Sequence, residues 1–155
     1  IACKDIRVQF VEKFFGNPRF DIGTIDLIKP EWKSDKISIY DHLKYKYVMA
    51  LEGNDVASNL KWIMSSNSIA VMPKPYYETW FMEGTLKPDY HYIEVKPDFS
   101  DLEEKMDYYT AHPDEAQAII NHAHEYVEQF KDKQREDIIS LMVLDKYFSL
   151  LKSKD

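Results

Sequence analysis

Residues 46–75 read KYVMALEGNDVASNLKWIMSSNSIAVMPKP. Residues 46–52 (KYVMALE) form a short apolar run rich in β-formers that stops at Gly53, as a buried strand does. Across residues 55–66, Val56, Leu60, Ile63 and Met64 recur at helical spacing. Residues 69–73 (IAVMP) make a second buried run. Strand, helix, strand with short links predicts parallel pairing through a right-handed crossover.

Outward from this unit the pattern stays α/β. Residues 5–15 place Ile6, Phe10, Phe14 and Val8, Val11, Phe15 at helical spacing, and Gly16-Asn17-Pro18 stops that helix. Residues 21–25 read as a short strand, followed by a polar loop with Pro30. Ser38 is a cap candidate for a short helix reaching Tyr45. Residues 76–83 suggest a short aromatic helix or turn, and 90–95 (YHYIEV) alternate like a further strand. Ser100 and Glu103 fit a capping box for a helix over 101–111. His112-Pro113-Asp114-Glu115 opens another that reaches about Phe130, with Pro in its first turn and His112 as its cap. A last amphipathic helix over 134–152 is expected to pack on the sheet or on a further domain. The fold expected is a Rossmann-like, three-layer α/β domain with about four parallel strands and a helical C-terminal extension.

The 155 residues fit one domain, residues 1–155. Opening on Ile1 rather than Met, the chain is expected to be a piece of a longer protein. Its one cysteine, Cys3, excludes an internal disulfide framework and suggests a reducing or disulfide-independent context. A formal net charge of −7 disfavours a nucleic-acid partner. No apolar run approaches the ~20 residues of a transmembrane segment. No P-loop, GxGxxG or GxSxG pattern occurs.

The turn after the first buried strand carries the chemistry. Gly53, Asn54 and Asp55 lead from a strand end into a helix start, which presents backbone N–H groups and a positive dipole end to an anion. Ser58 and Asn59 fall in the first turn and can donate to phosphate. Lys61 is either a phosphate-directed point charge or an ordinary solvated lysine. The same two readings hold for Lys74. Glu78, among Tyr76, Tyr77, Trp80 and Phe81, can accept from ribose hydroxyls while an aromatic such as Tyr77 stacks on a base, or it is a surface glutamate. His91 reads as a structural histidine. His122 and His124 are two apart and share no helix face, so no metal site is expected.

Several motifs stand in order: Lys46-Tyr47, Glu52-Gly53, Ser58 to Lys61, Ser66-Asn67-Ser68, Tyr76 to Trp80, Leu86-Lys87-Pro88 with His91-Tyr92, and Ser100-Asp101-Leu102. Together they resemble glycosyltransferase family 90, which includes bacterial lipopolysaccharide core glycosyltransferases and Rumi-type protein O-glucosyltransferases. The resemblance implies a two-domain GT-B architecture, of which this chain is similar to the C-terminal, nucleotide-sugar-binding half. It implies a nucleoside diphosphate sugar as substrate, UDP-sugar in the first instance, with no cofactor and no metal. It further implies a glycan acceptor, an N-terminal domain of the same chain as partner and supplier of the catalytic carboxylate, and a cytoplasmic location at the inner face of the membrane. No catalytic residue is expected within this chain. One departure bears on the site: many relatives carry Arg near Asn59, where it contacts the donor diphosphate, and Lys does not reproduce its bidentate fork. The reading from a different class is a non-catalytic Rossmann-like interaction or regulatory module.

Overall fold

The computed structural model describes residues 2–25 and 29–152. Residues 26–28 of the expected polar loop lie outside the described residues, as does the side chain of Cys3.

Three strands, β1 (Tyr47–Met49), β2 (Ile69–Met72) and β3 (Ile93–Glu94), form one parallel sheet in the order β1-β2-β3. Tyr47 pairs with Ile69 and Val71 with Ile93, so β2 is central. All four of its side chains are buried, which explains an unbroken apolar run instead of alternation. The sheet holds three strands among the described residues, one fewer than expected. Residues 21–25 contribute only a parallel bridge from Thr24 to Lys33. Residues 90–95 pair as a strand only at Ile93 and Glu94. Pro88 and Tyr92 bridge ahead of them, while Val95 donates to the Met72 carbonyl.

Two cores flank the sheet. On one face Ile69, Val71, Ile93 and Val95 meet Phe10 and Phe14 of α1 (Ala2–Phe14) and Leu102, Met106 and Tyr109 of α4 (Leu102–Ala111). On the other, Val48, Ala70 and Met72 meet Leu60, Ile63 and Met64 of α3 (Leu60–Met64). Helix α5 (Pro113–Glu128) serves both, with Ala116, Ile119 and Ile120 in the first core and Ala123 in the second. Phe10, Phe14 and Phe99 meet edge-on or tilted at 5.0–6.5 Å between ring centroids. Such rings bury large apolar area and gain from the offset geometry.

The caps follow local chemistry, with two differences from expectation. Ser38 caps α2 (Ile39–His42) by accepting from the Asp41 amide, as its sequence position suggests. Ser100 does not cap α4. Asp101 holds that position without a side-chain cap bond, because its carboxylate accepts from the Lys96 amide. Glu103 is likewise drawn away, to Asn17 and Arg19, so the capping box is not made. Pro113 opens α5 as expected, yet the His112 ring donates backward from Nδ1 to the Tyr108 carbonyl and closes α4.

Helix α3 is much shorter than the 55–66 span expected from apolar spacing, because residues 53–59 form bends and a turn before Leu60. Residues 76–79 form no regular element, Trp80 and Phe81 make a turn, and a 3-10 turn at Glu83–Thr85 follows, so the turn alternative holds and no α-helix forms there. Helix α6 (Lys133–Lys152) has the expected extent but not the expected packing. It touches the body chiefly at the turn Gln129–Lys131, and every large apolar side chain from Ile138 to Leu151 is exposed. Those side chains lie on all sides of the helix rather than on one stripe, so α6 is not amphipathic.

Candidate functional site

A cleft of about 360 Å³ opens at the carboxyl ends of β1 and β2. Ala50 and Glu52 line it after β1, Met72 at the end of β2 and residues 73–77 after it, with Val56, Ala57, Leu60 and Glu83 behind. Parallel sheets place ligand crevices at this end of their strands.

The chain leaving β1 is irregular. The Gly53 amide donates to the Asp55 carbonyl at 3.0 Å, and the Asp55 carboxylate takes the Val56 amide at 2.8 Å. The amides of Asn54, Asp55, Ala57 and Ser58 find no acceptor among the described residues. Asn54, Asp55, Ala57 and Ser58 therefore stand together as a turn of uncommitted donors beside the cleft, with the Gly53 amide spent inside the turn. The donors belong to the turn rather than to a helix end, since α3 starts only at Leu60.

The cations are arranged differently from the sequence picture. Asn59 faces inward, its side-chain amide donating to the Met49 carbonyl at 2.8 Å. Lys61 pairs with Glu83 at 3.1 Å, with its ammonium near the rings of Trp80 and Phe81. Lys74 is exposed on the cleft lining and has no partner among the described residues. Arg7, which sequence reasoning passed over, reaches from α1 to the end of β1. Its Nη2 donates to the Leu51 carbonyl at 2.8 Å, and its Nε to the carbonyls of Leu51 and Glu52 at 3.2 and 3.1 Å. A Cβ on Gly53 would fall 2.9 Å from the Arg7 Cζ, so the missing side chain at 53 makes room for the guanidinium. Arg7 is one of several charged residues on α1, beside Lys4, Asp5, Glu12 and Lys13, so nothing in the sequence sets it apart.

Two carboxylates shape the walls. Glu52 accepts the Tyr76 amide at 3.1 and 3.2 Å and the Tyr77 amide at 3.0 Å, tying the loop after β2 to the end of β1. Glu83 accepts from the Thr79 amide at 2.7 Å, the Thr79 hydroxyl at 2.8 Å and Lys61. Burial would raise its pKa, but the amide and hydroxyl of Thr79, with Lys61, outweigh it and hold the carboxyl below its ordinary value. Glu78 does not line the cleft; its carboxylate lies over Gly84. Tyr77 does line it, with Tyr76 edge-on at 5.1 Å and 83% exposed. The structure thus brings Lys74 and Tyr77 to one cleft and sets Glu78 outside it. Glu52 stands in the sequence only as part of the Glu52-Gly53 motif, with no role attached, and Glu83 gives no signal there, because an isolated glutamate carries no mark of burial.

The histidines serve packing. His91 accepts the Lys87 amide on Nδ1, and burial pushes its pKa down, with Lys87 and His122 acting in the same direction. His122 stacks on Tyr90 at 3.6 Å, and His124 donates from Nε2 to the Ser66 carbonyl. Among the described residues no three His, Cys, Asp or Glu side chains converge as a metal site requires. No helix among them is long and apolar enough to cross a membrane.

The family model for glycosyl transferase family 90 matches residues 7–155. The chain is 44% identical over 154 residues to an O-glucosyltransferase LpsA from Dichelobacter nodosus, covering 97% of this chain and 48% of that protein. It is 28% identical over 159 residues to protein O-glucosyltransferase 3 of Homo sapiens, covering 97% of this chain and 31% of that one. Identity to protein O-glucosyltransferase 2 of Danio rerio is 34% over 84 residues, which is 54% of this chain and 16% of the relative. The chain therefore spans about half the length of the LpsA relative and less of the others.

Proposed function

This chain belongs to glycosyltransferase family 90, and from that premise we propose that its cleft binds the nucleoside diphosphate sugar donor of a glycosyl transfer. The domain is then the C-terminal, Rossmann-like half of a GT-B enzyme. The three-stranded parallel sheet with helices on both faces supports this architecture.

The observation that carries the reading is the cleft at the carboxyl ends of β1 and β2, bordered by the uncommitted amides of Asn54, Asp55, Ala57 and Ser58. Backbone donors fixed before ligand arrives can meet a diphosphate without reorganising. Their contribution would be to stabilise the diphosphate as the bond from the anomeric carbon to its oxygen breaks. Tyr77 lies where a base or sugar ring can pack. The attacking hydroxyl belongs to a glycan acceptor, and the group that takes its proton belongs to the N-terminal half. Similarity to the LpsA relative supports a role in lipopolysaccharide or other surface glycan synthesis. UDP-sugar as donor and the cytoplasmic membrane face as location complete the proposal.

Titration with UDP, followed by amide chemical shifts, tests this. Shifts concentrated in residues 50–58 and 72–77 are expected; no perturbation there at millimolar UDP sinks the proposal. The inward-facing Asn59 and the internally paired Lys61 favour the second reading, a non-catalytic interaction or regulatory module. That reading predicts no nucleotide response at all.

A further inference from the structure

We infer that Tyr76, Glu78 and Trp80 form a saccharide-binding surface beside the cleft, one that holds a glycan acceptor by its sugar rings. The inference rests on the glycosyl-transfer reading for its occupant and gives the second substrate a place outside the donor cleft.

Burial alternates along residues 74–82. Lys74, Tyr76, Glu78, Trp80 and Met82 are exposed, Tyr77 and Thr79 are half-buried, and Phe81 is buried. Tyr76 is 83% and Trp80 65% exposed, a large aromatic area to leave in water. The polar groups of this row are also unspent. The Tyr76 hydroxyl, the Glu78 carboxylate and the Trp80 indole N–H make no hydrogen bond among the described residues. A Cβ on Gly84 would fall 3.2 Å from the Glu78 Oε1, so the missing side chain at 84 leaves that carboxylate its room.

The row is exposed but not loose. Glu52 takes the amides of Tyr76 and Tyr77, and Glu83 takes the amide of Thr79. Tyr126 of α5 donates its hydroxyl to the Phe81 carbonyl at 2.5 Å. The Phe81 ring stacks on Phe130 at 5.0 Å, and Trp80 meets both rings edge-on at 5.8 and 5.5 Å. The Lys61 ammonium stands 5.4 Å from the Trp80 ring centre. The aromatic rings are thus presented from a backbone already pinned, so a ligand has little left to order when it arrives.

The mixture of groups selects the ligand class. The centre of a protein interface is apolar and depleted of Glu and Lys. Here Glu78 stands between the two rings, and an apolar partner would have to bury it unpaired. Sugar rings differ: their C–H faces pack on aromatic rings, and their hydroxyls donate to a carboxylate and accept from an indole or a phenol. Glu78 and the net charge of −7 disfavour a polyanion. The row is continuous with the cleft as well. Lys74 and Tyr76 line the cleft, whereas Glu78 and Trp80 lie beyond it. A glycan lying along the row therefore has one end at the cleft.

The test is titration of the chain with maltotriose and cellotriose, read by calorimetry and by the Trp80 Nε1–H signal, with UDP as the control for the cleft. Wild type, Trp80→Ala, Trp80→Phe and Glu78→Gln are compared, and amide spectra check that each variant folds. Wild type is expected to bind a trisaccharide at millimolar concentration, with the Trp80 signal shifted. Trp80→Ala should weaken this about tenfold and Trp80→Phe less. Glu78→Gln should weaken it about threefold. UDP affinity should stay within about twofold in every variant. If neither trisaccharide moves the Trp80 signal at tens of millimolar, or if Trp80→Ala binds like wild type, the inference fails. If the Trp80 signal instead moves with protein concentration, and Trp80→Ala abolishes self-association in sedimentation, the surface is a protein contact and the inference fails too. Trisaccharide binding without a UDP response would keep this surface and remove the donor reading; a UDP response without trisaccharide binding would do the reverse.

Discussion

The Lys61 ammonium and the Glu83 carboxylate sit 3.1 Å apart at the back of the cleft, where Glu83 is also held by the Thr79 amide and hydroxyl. A carboxylate this deep is stable only while its donors remain. Lys61→Met is expected to cost about 1–3 kcal/mol, and Glu83→Ala about 3 kcal/mol, both read from urea midpoints at unchanged slope. The folded carboxyl titrates below its ordinary value of 4.5. Its stabilising contribution is therefore complete above that value and is lost as pH falls through the lower, folded one. Glu83→Gln should remove this acid-side loss, and an unchanged pH profile would refute the assignment.

Gly53→Ala should separate stability from binding. Its new Cβ meets the end of a movable side chain, not backbone. The cost to folding is expected to stay under about 1 kcal/mol. Arg7 must leave its seat, so its Nε–H signal should lose protection and UDP affinity should drop. A variant that keeps both would show that Arg7 does not need the space.

His91 gives a second, higher pH window. Its ring is neutral where it accepts the Lys87 amide, and burial holds its pKa below the ordinary 6.5. Lys87 and His122 oppose its charge and Glu125 favours it. A depressed histidine contributes its stability above the unfolded value, and that contribution is lost as pH falls through the folded one. Thermal midpoints should therefore decline from pH 6.5 downward in wild type and decline less in His91→Gln. Equal slopes would remove His91 as the cause.

Strand periodicity and composition located β1 and β2 well, because a strand buried on both faces reads as an apolar run. The cap at Ser38 and the Pro113 helix start were legible for the same reason: each depends on two or three adjacent residues. What escaped was chemistry that depends on distance. Ser100 and Glu103 have capping-box spacing, but Asn17 and Arg19, more than eighty positions earlier, claim Glu103. Asn59 sits where a phosphate donor was expected and bonds instead to the strand it follows. Arg7 reaches the site from 44 positions before Leu51, which no local pattern records.

Helix α6 yields a prediction that needs no ligand. Leu141 is 66% exposed, and Met142, Val143 and Leu144 beside it are open as well. Leu141→Ser should change the stability of this chain by less than about 0.5 kcal/mol. It should also reduce concentration-dependent self-association in sedimentation, because exposed apolar surface of this kind is adhesive. A large loss of stability would mean that Leu141 is covered in solution.

Strand β2 sends Ile69 and Val71 into one core and Ala70 and Met72 into the other. Only four residues of backbone separate the two. Slipping this strand by one position would put each large side chain into the space shaped for its neighbour, on both faces at once. The strand therefore acts as a proofreading element during folding. A mispaired register gains neither core, so the two layers should form or dissolve as a single kinetic event.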